Sequence, residues 1–211
     1  MTTASSNTSQ PKLGFLVQGD VEKLLVETLA RKIAAQLPIP LEPRMGTIRF
    51  GGPFRVLTVV PEIHFMAEKG YAPVIMVFDE KVDEDPSRTN LFQVERLLMK
   101  YEFQSYARLI PVTPSIEAWV LADEDAVRQV AGTPTPPLAS RDGKTPKEVL
   151  KQWLGGWDTV RQEAVARLLE PVRIRMREPS FLKFEQAVQE VLRARLGSQL
   201  DTSLREPGTH P

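Results

Sequence analysis

Ala72-Pro73-Val74-Ile75-Met76-Val77-Phe78-Asp79 is the stretch that decides how this chain folds. An apolar run of this length, closed by an acid, predicts a parallel strand buried on both faces. Such a strand delivers its last side chain to the C-terminal edge of an open sheet, where ligands bind. Toward the N-terminus, Lys12-Leu13-Gly14-Phe15-Leu16-Val17 predicts a first strand, with Gly19 as the turn after it. Asp20 is expected to cap a helix over about 21–35, in which Leu24, Leu25, Leu29 and Ile33 recur at helical spacing. Pro38, Pro40 and Pro43 end it. A short strand over 46–50 follows, then a helix opened by Gly51-Gly52-Pro53 that runs to about Lys69, with Pro61 breaking its regularity.

Beyond Asp79 an acidic loop reaches Arg88, and a helix follows with Leu91, Val94, Leu97, Leu98 and Tyr101 on one face. Residues 106–111 predict another strand and 115–130 one continuous helix. Strands alternating with helices imply a mostly parallel sheet with right-handed crossovers. After Ala131 the character changes: Thr133-Pro134-Thr135-Pro136-Pro137 is a linker or rigid loop, and three helices are expected over 146–154, 159–169 and 180–196. The expected layout is a disordered leader (1–11), an α/β domain (12–131), a helical C-terminal extension (132–196) and a flexible tail (197–211).

Composition narrows the chemistry. The absence of cysteine excludes disulfides, thiolate metal sites and cysteine nucleophiles. The only histidines are His64 and His210, so no serine–histidine–acid set can be assembled, and Walker and dinucleotide glycine patterns are absent. Lys+Arg and Asp+Glu are both 27, giving no overall bias toward polyanions or membranes. The net charge is −3 over residues 1–140 and +4 over 141–196, a mild basic excess of the kind that solvated helices often carry. No run approaches the roughly 18 apolar residues of a membrane span, and the polar start lacks the form of a signal peptide. A cytoplasmic protein is the expectation.

Acids at strand ends then suggest a hard cation held by oxygen, Mg²⁺ or Mn²⁺. Asp79 is the first candidate; Asp83, Glu84 and Asp85 read as solvated loop charges. Glu117 lies close behind the next strand, in Ser115-Ile116-Glu117-Ala118-Trp119-Val120-Leu121-Ala122-Asp123, and reads either as a site acid or as a first-turn acid favoured by the helix dipole. Trp119 is expected to anchor its helix on the sheet. Asp123 is a weaker candidate, because it does not share a helix face with Glu117. Gln18 and Glu22 flank the Gly19 turn and are either site residues or ordinary turn and first-turn residues. Gly51-Gly52-Pro53-Phe54-Arg55 presents backbone N–H groups and a guanidinium to a phosphate, or is a simple loop. Arg173, Arg175 and Arg177, alternating with Ile174 and Met176, read as a basic edge strand on a phosphate backbone or as a solvated segment.

Several of these segments together resemble a bacterial family designated domain of unknown function 4276, which has a Toprim-like fold. Leu16-Val17-Gln18-Gly19-Asp20-Val21-Glu22 is similar to its first strand and turn, and Val77-Phe78-Asp79-Glu80-Lys81 to its Asp-x-Asp strand end. The stretch from Ser115 to Asp123 is the most specific match. Thr145-Pro146-Lys147-Glu148 and Pro179-Ser180-Phe181-Leu182-Lys183-Phe184 resemble its C-terminal signatures, so the likeness spans about residues 12–192. The resemblance implies a Toprim-like nuclease that hydrolyses nucleic-acid phosphodiesters with Mg²⁺ or Mn²⁺, working beside a partner ATPase in defence against phage or plasmids. On that scheme Asp79, Glu117, Gln18 and Asp123 hold the metal. Glu22, Asp79, Glu117 and Lys147 are catalytic, and Arg55, Lys81 and Arg88 contact phosphate. Gln18 and Lys81 stand where the family has acids. An amide ligates a hard cation but is no base, and a lysine substitutes for a cation, so the alternative is an inactive subunit that binds a partner protein or nucleic acid. A small-molecule phosphotransferase is the third reading.

Overall fold

The computed structural model describes residues 10–50, 56–80, 85–132 and 143–205. A four-stranded, all-parallel sheet in the order β2-β1-β3-β4 forms its centre, built from β1 (Lys12–Val17), β2 (Arg44–Arg49), β3 (Val74–Asp79) and β4 (Ala107–Val112). The connecting helices are α1 (Asp20–Ala35), α2 (Val56–Glu68) and α3 (Asn90–Lys100). The predicted α/β architecture is therefore the observed one. Strand β3 is buried along Val74–Phe78, as its unbroken apolar run requires.

The sheet separates two apolar layers. On one face Leu16, Met76 and Phe78 pack with Val59, Ile63 and Met66 of α2 and Val94 and Leu98 of α3. On the other, Phe15, Val17, Ile75 and Val77 meet Leu25, Leu29 and Ile33 of α1. Gly14 and Gly46 lie opposite each other in the β1–β2 register. A Cβ on either would come within 2.8 Å of Tyr71, so the paired glycines form the slot that this ring occupies.

The helices after β4 are α4 (Glu117–Ala122), α5 (Glu124–Ala131), α6 (Pro146–Leu154), α7 (Thr159–Leu168), α8 (Pro171–Arg175) and α9 (Pro179–Arg205). They complete the α1 face: Trp119, Leu150, Val165, Ile174, Phe181, Phe184 and Val188 belong to the same buried cluster as β1 and β3. Trp119 is fully buried against Phe181 and Phe184, at 5.2 and 5.1 Å between ring centroids, and its indole N–H donates to Ser180 Oγ at 2.8 Å. The C-terminal region is thus part of the core, and Trp119 anchors α4 to α9. No helix among the described residues is long and apolar enough to cross a membrane.

Four expectations need correction. The continuous helix over 115–130 is two helices that break at Asp123, which takes the cap position of α5 and accepts from Ala126 N–H. Arg173 and Arg175 lie in α8 and Arg177 in the turn after it, so no edge strand forms there. Helix α9 passes through Gly197 and ends at Arg205, well into the expected tail. At the start of α1, Gly19 rather than Asp20 is the cap residue, and Asp20 pairs with Arg49 of β2.

Candidate functional site

Strand β1 leads through α1 to β2 on one side, whereas β3 lies on its other side. The C-terminal ends of β1 and β3 therefore flank a topological switch point, the position at which open α/β sheets form their ligand crevices. Gln18 and Asp79 are the residues delivered there. The Gln18 Oε1 accepts the backbone N–H of Asp79 at 2.8 Å and ties the two strand ends together. Asp79 Oδ1 accepts from the backbone N–H of Ile116 at 3.0 Å, which brings the start of α4 to the same edge. Among the described residues Oδ2 takes no hydrogen bond.

Two glutamates converge on this aspartate. Glu22 sits three residues after the Gly19 cap with its carboxylate close to that glycine, where the backbone N–H groups of Glu22 and Gly19 favour its charged form. A Cβ at position 19 would lie 2.9 Å from the Glu22 Oε2, so glycine there leaves room for the carboxylate. Glu117 opens α4 and is 6% exposed. Burial first, then the negative charge of Glu22, and then that of Glu117, push the Asp79 carboxyl up to about 7; the Ile116 N–H and the Lys147 ammonium pull the other way. Burial also raises Glu22, with Glu117 adding to the rise and its own backbone hydrogen bonds and Lys147 opposing it. Lys147 reaches the site from α6, whose start is fixed by Pro146 and by a capping box between Thr145 and Glu148.

Supports that the sequence did not single out hold Asp79 from behind. Glu80, 8% exposed, accepts the backbone N–H groups of Asn90 at 3.0 Å and Leu91 at 2.6 Å, fastening the start of α3. The Asn90 side chain donates to the Asp79 carbonyl at 3.1 Å. An acid directly after a strand gave no sign that it would cap a helix ten residues on.

The structure thus brings together Gln18, Glu22, Asp79, Glu117 and Lys147. Gln18, expected as a ligand, has its oxygen committed to the Asp79 N–H and acts as a strap. Asp123, also expected as a ligand, is fully buried elsewhere in the fold. Its oxygens accept from Ala126 N–H at 3.3 Å, Glu170 N–H at 2.8 Å and the Arg173 guanidinium at 3.2 Å, so it locks α5 to α8. Arg88 is mostly exposed and pairs with Asp85 at 3.4 Å. The arginines of the supposed basic strand are also engaged: Arg175 with Glu185 at 3.3 Å and Arg177 with Glu124 at 3.2 Å. Arg55 and Lys81 lie outside the described residues.

The donor chemistry suits a hard divalent cation: among the described residues, three carboxylates from three elements, an aspartate oxygen that takes no hydrogen bond, and one lysine set against them. Among the described residues, no group of three histidine, cysteine or acidic side chains is arranged to hold an ion. No family model matches the chain, and no curated protein or solved structure is significantly similar to it.

Proposed function

We propose that this chain is a divalent-metal-dependent hydrolase of nucleic-acid phosphodiesters, in keeping with its resemblance to the Toprim-like family. The observation that carries the reading is the burial of Asp79 at the switch point beside the charges of Glu22 and Glu117, which together raise its carboxyl to about 7. Acids that raise one another without full compensation leave a demand for positive charge, and strongly perturbed carboxyls favour function over structure.

Asp79 and Glu117 would hold the ion, which, when bound, polarises a phosphoryl oxygen and lowers the pKa of a bound water. Glu22, already raised in proton affinity, accepts a proton from the attacking water. Lys147 offsets charge on the phosphoryl oxygens. Gln18 and Asn90 keep Asp79 from swinging, through its N–H and its carbonyl.

A second reading is a non-catalytic subunit with the same edge. It is favoured by the commitment of the Gln18 oxygen to backbone and by the lack of a three-ligand group among the described residues. Cleavage of supercoiled plasmid and single-stranded RNA with Mg²⁺ or Mn²⁺ separates the two. Metal-dependent cutting that falls at least about a hundredfold in Asp79→Asn is the expected result. Cutting that survives Asp79→Asn sinks the metal mechanism, and a wild type that neither cuts nor binds metal leaves the binding subunit.

A further inference from the structure

A pocket of about 360 Å³ is lined by residues that adjoin Glu117 and Lys147 in the chain. Thr113 and Pro114 of the wall lead to Ile116 and Glu117; Pro146 of the opposite wall precedes Lys147. Its surface is mainly apolar, with Pro114, Pro146, Leu121 and two alanines in its lining. Of its three charged residues, Arg177 is paired with Glu124 at 3.2 Å and also donates to the Ala122 carbonyl. That leaves Glu178, half-buried at the turn into α9, with no partner for its carboxyl among the described residues and raised in proton affinity by burial alone. The pocket therefore carries one net negative charge and does not suit a phosphate. It suits a flat, largely apolar group that presents hydrogen-bond donors.

We propose that this pocket binds the base of the nucleotide whose phosphate faces the cluster, and that the base is a guanine held edge-on by Glu178. A carboxylate offers two parallel acceptors, and guanine presents two adjacent donors, N1–H and the N2 amino group, on one edge. Adenine and cytosine present a single amino donor beside an acceptor, which the second carboxylate oxygen repels. The proline and leucine faces pack against the ring. The inference rests on the phosphodiester reading for its phosphate and on its own residues for its base.

Guanosine tests it, because a nucleoside lacks the phosphate that the cluster would read. Titrated into the full chain without metal, guanosine should bind about tenfold more tightly than adenosine, cytidine or uridine. Inosine, which lacks the N2 amino group, should lose most of that advantage. Glu178→Gln should remove the preference while circular dichroism and the melting temperature stay those of the wild type. Asp79→Asn should leave guanosine binding intact, which separates this pocket from the hydrolytic reading. Equal binding of all four nucleosides, or full guanosine affinity in a folded Glu178→Gln, overturns the proposal. Cleavage that lacks both base preference and nucleoside binding removes the pocket and leaves the hydrolase.

Discussion

Asp79 and Asp123 are both acids held by backbone N–H groups at the start of a helix, yet they occupy opposite electrostatic situations. Asp123 is fully buried and satisfied: two backbone N–H groups and the Arg173 guanidinium surround it, and Asp125 shares that guanidinium at 3.6 Å. The pairing holds the proton on Arg173 more firmly than usual, through its hydrogen bond to Asp123 and then the charge of that carboxylate. Asp79 is partly exposed, yet burial first and then the charges of Glu22 and Glu117 raise its proton affinity, against one N–H and one lysine. A buried acid whose charge is answered within the chain serves the fold. One whose charge is answered only in part among the described residues carries a cost to the fold that Asp123 does not.

The sharpest way to break this comparison is to remove each acid. Asp123→Ala leaves the N–H groups of Ala126 and Glu170 without their acceptor and Arg173 without its closest carboxylate, so unfolding free energy should fall by about 3–4 kcal/mol. Asp79→Asn retains an oxygen for the Ile116 N–H and removes a repelled charge. It should be neutral or stabilising at pH 8. Urea denaturation of both variants checks this. A stable Asp123→Ala with a crippled Asp79→Asn would reverse the assignment of roles.

The next effect is in the pH profile. An aspartate of ordinary pKa 3.8 that sits at about 7 in the fold binds more protons folded than unfolded between those values. Stability therefore declines as pH rises through that window, with nothing lost below it and the full cost reached above pH 7. Allowing for solvent screening, the cost is about 1–2 kcal/mol. Asp79→Asn should flatten this part of the profile, and a slope that persists unchanged would place the titrating group elsewhere. At pH 8, Mg²⁺ or Mn²⁺ should restore the lost stability in the wild type and not in Asp79→Asn, read as a melting temperature that climbs with metal concentration.

The contrast also explains what the sequence could disclose. Asp79 was legible because an apolar strand running into an acid fixes where that acid lies, at the edge where ligands bind. The break at Asp123 was not, because its decisive partners, Glu170 and Arg173, lie 47 and 50 residues along the chain. Within the sequence alone, an acid in an amphipathic helix reads as solvent-facing. The alternating arginines misled for the same reason: period-two spacing suggested a strand, but Pro171 opens a short helix and the acids that pair with Arg173, Arg175 and Arg177 come from α5 and α9. Lys147 entered only through the family resemblance. Its local signal, a capping box, fixes the start of α6 and says nothing of the sheet edge it approaches.

The smallest effect probes Gln18, where the difference between the two aspartates can be narrowed or widened by one atom. Its oxygen accepts the Asp79 N–H, so Gln18→Ala should cost about 1 kcal/mol by leaving that donor unpaired. Gln18→Glu keeps an acceptor in place but adds a fourth carboxylate to a cluster that already repels itself. The Asp79 carboxyl should then move further up, and apparent affinity for Mn²⁺ at pH 8 should rise severalfold, because an anion in that position repels its neighbours only until a cation arrives. A calorimetric titration reads the affinity directly. If Gln18→Glu weakens Mn²⁺ binding or leaves it unchanged, the strap matters more than the charge, and the edge is organised to hold Asp79 in place rather than to share an ion.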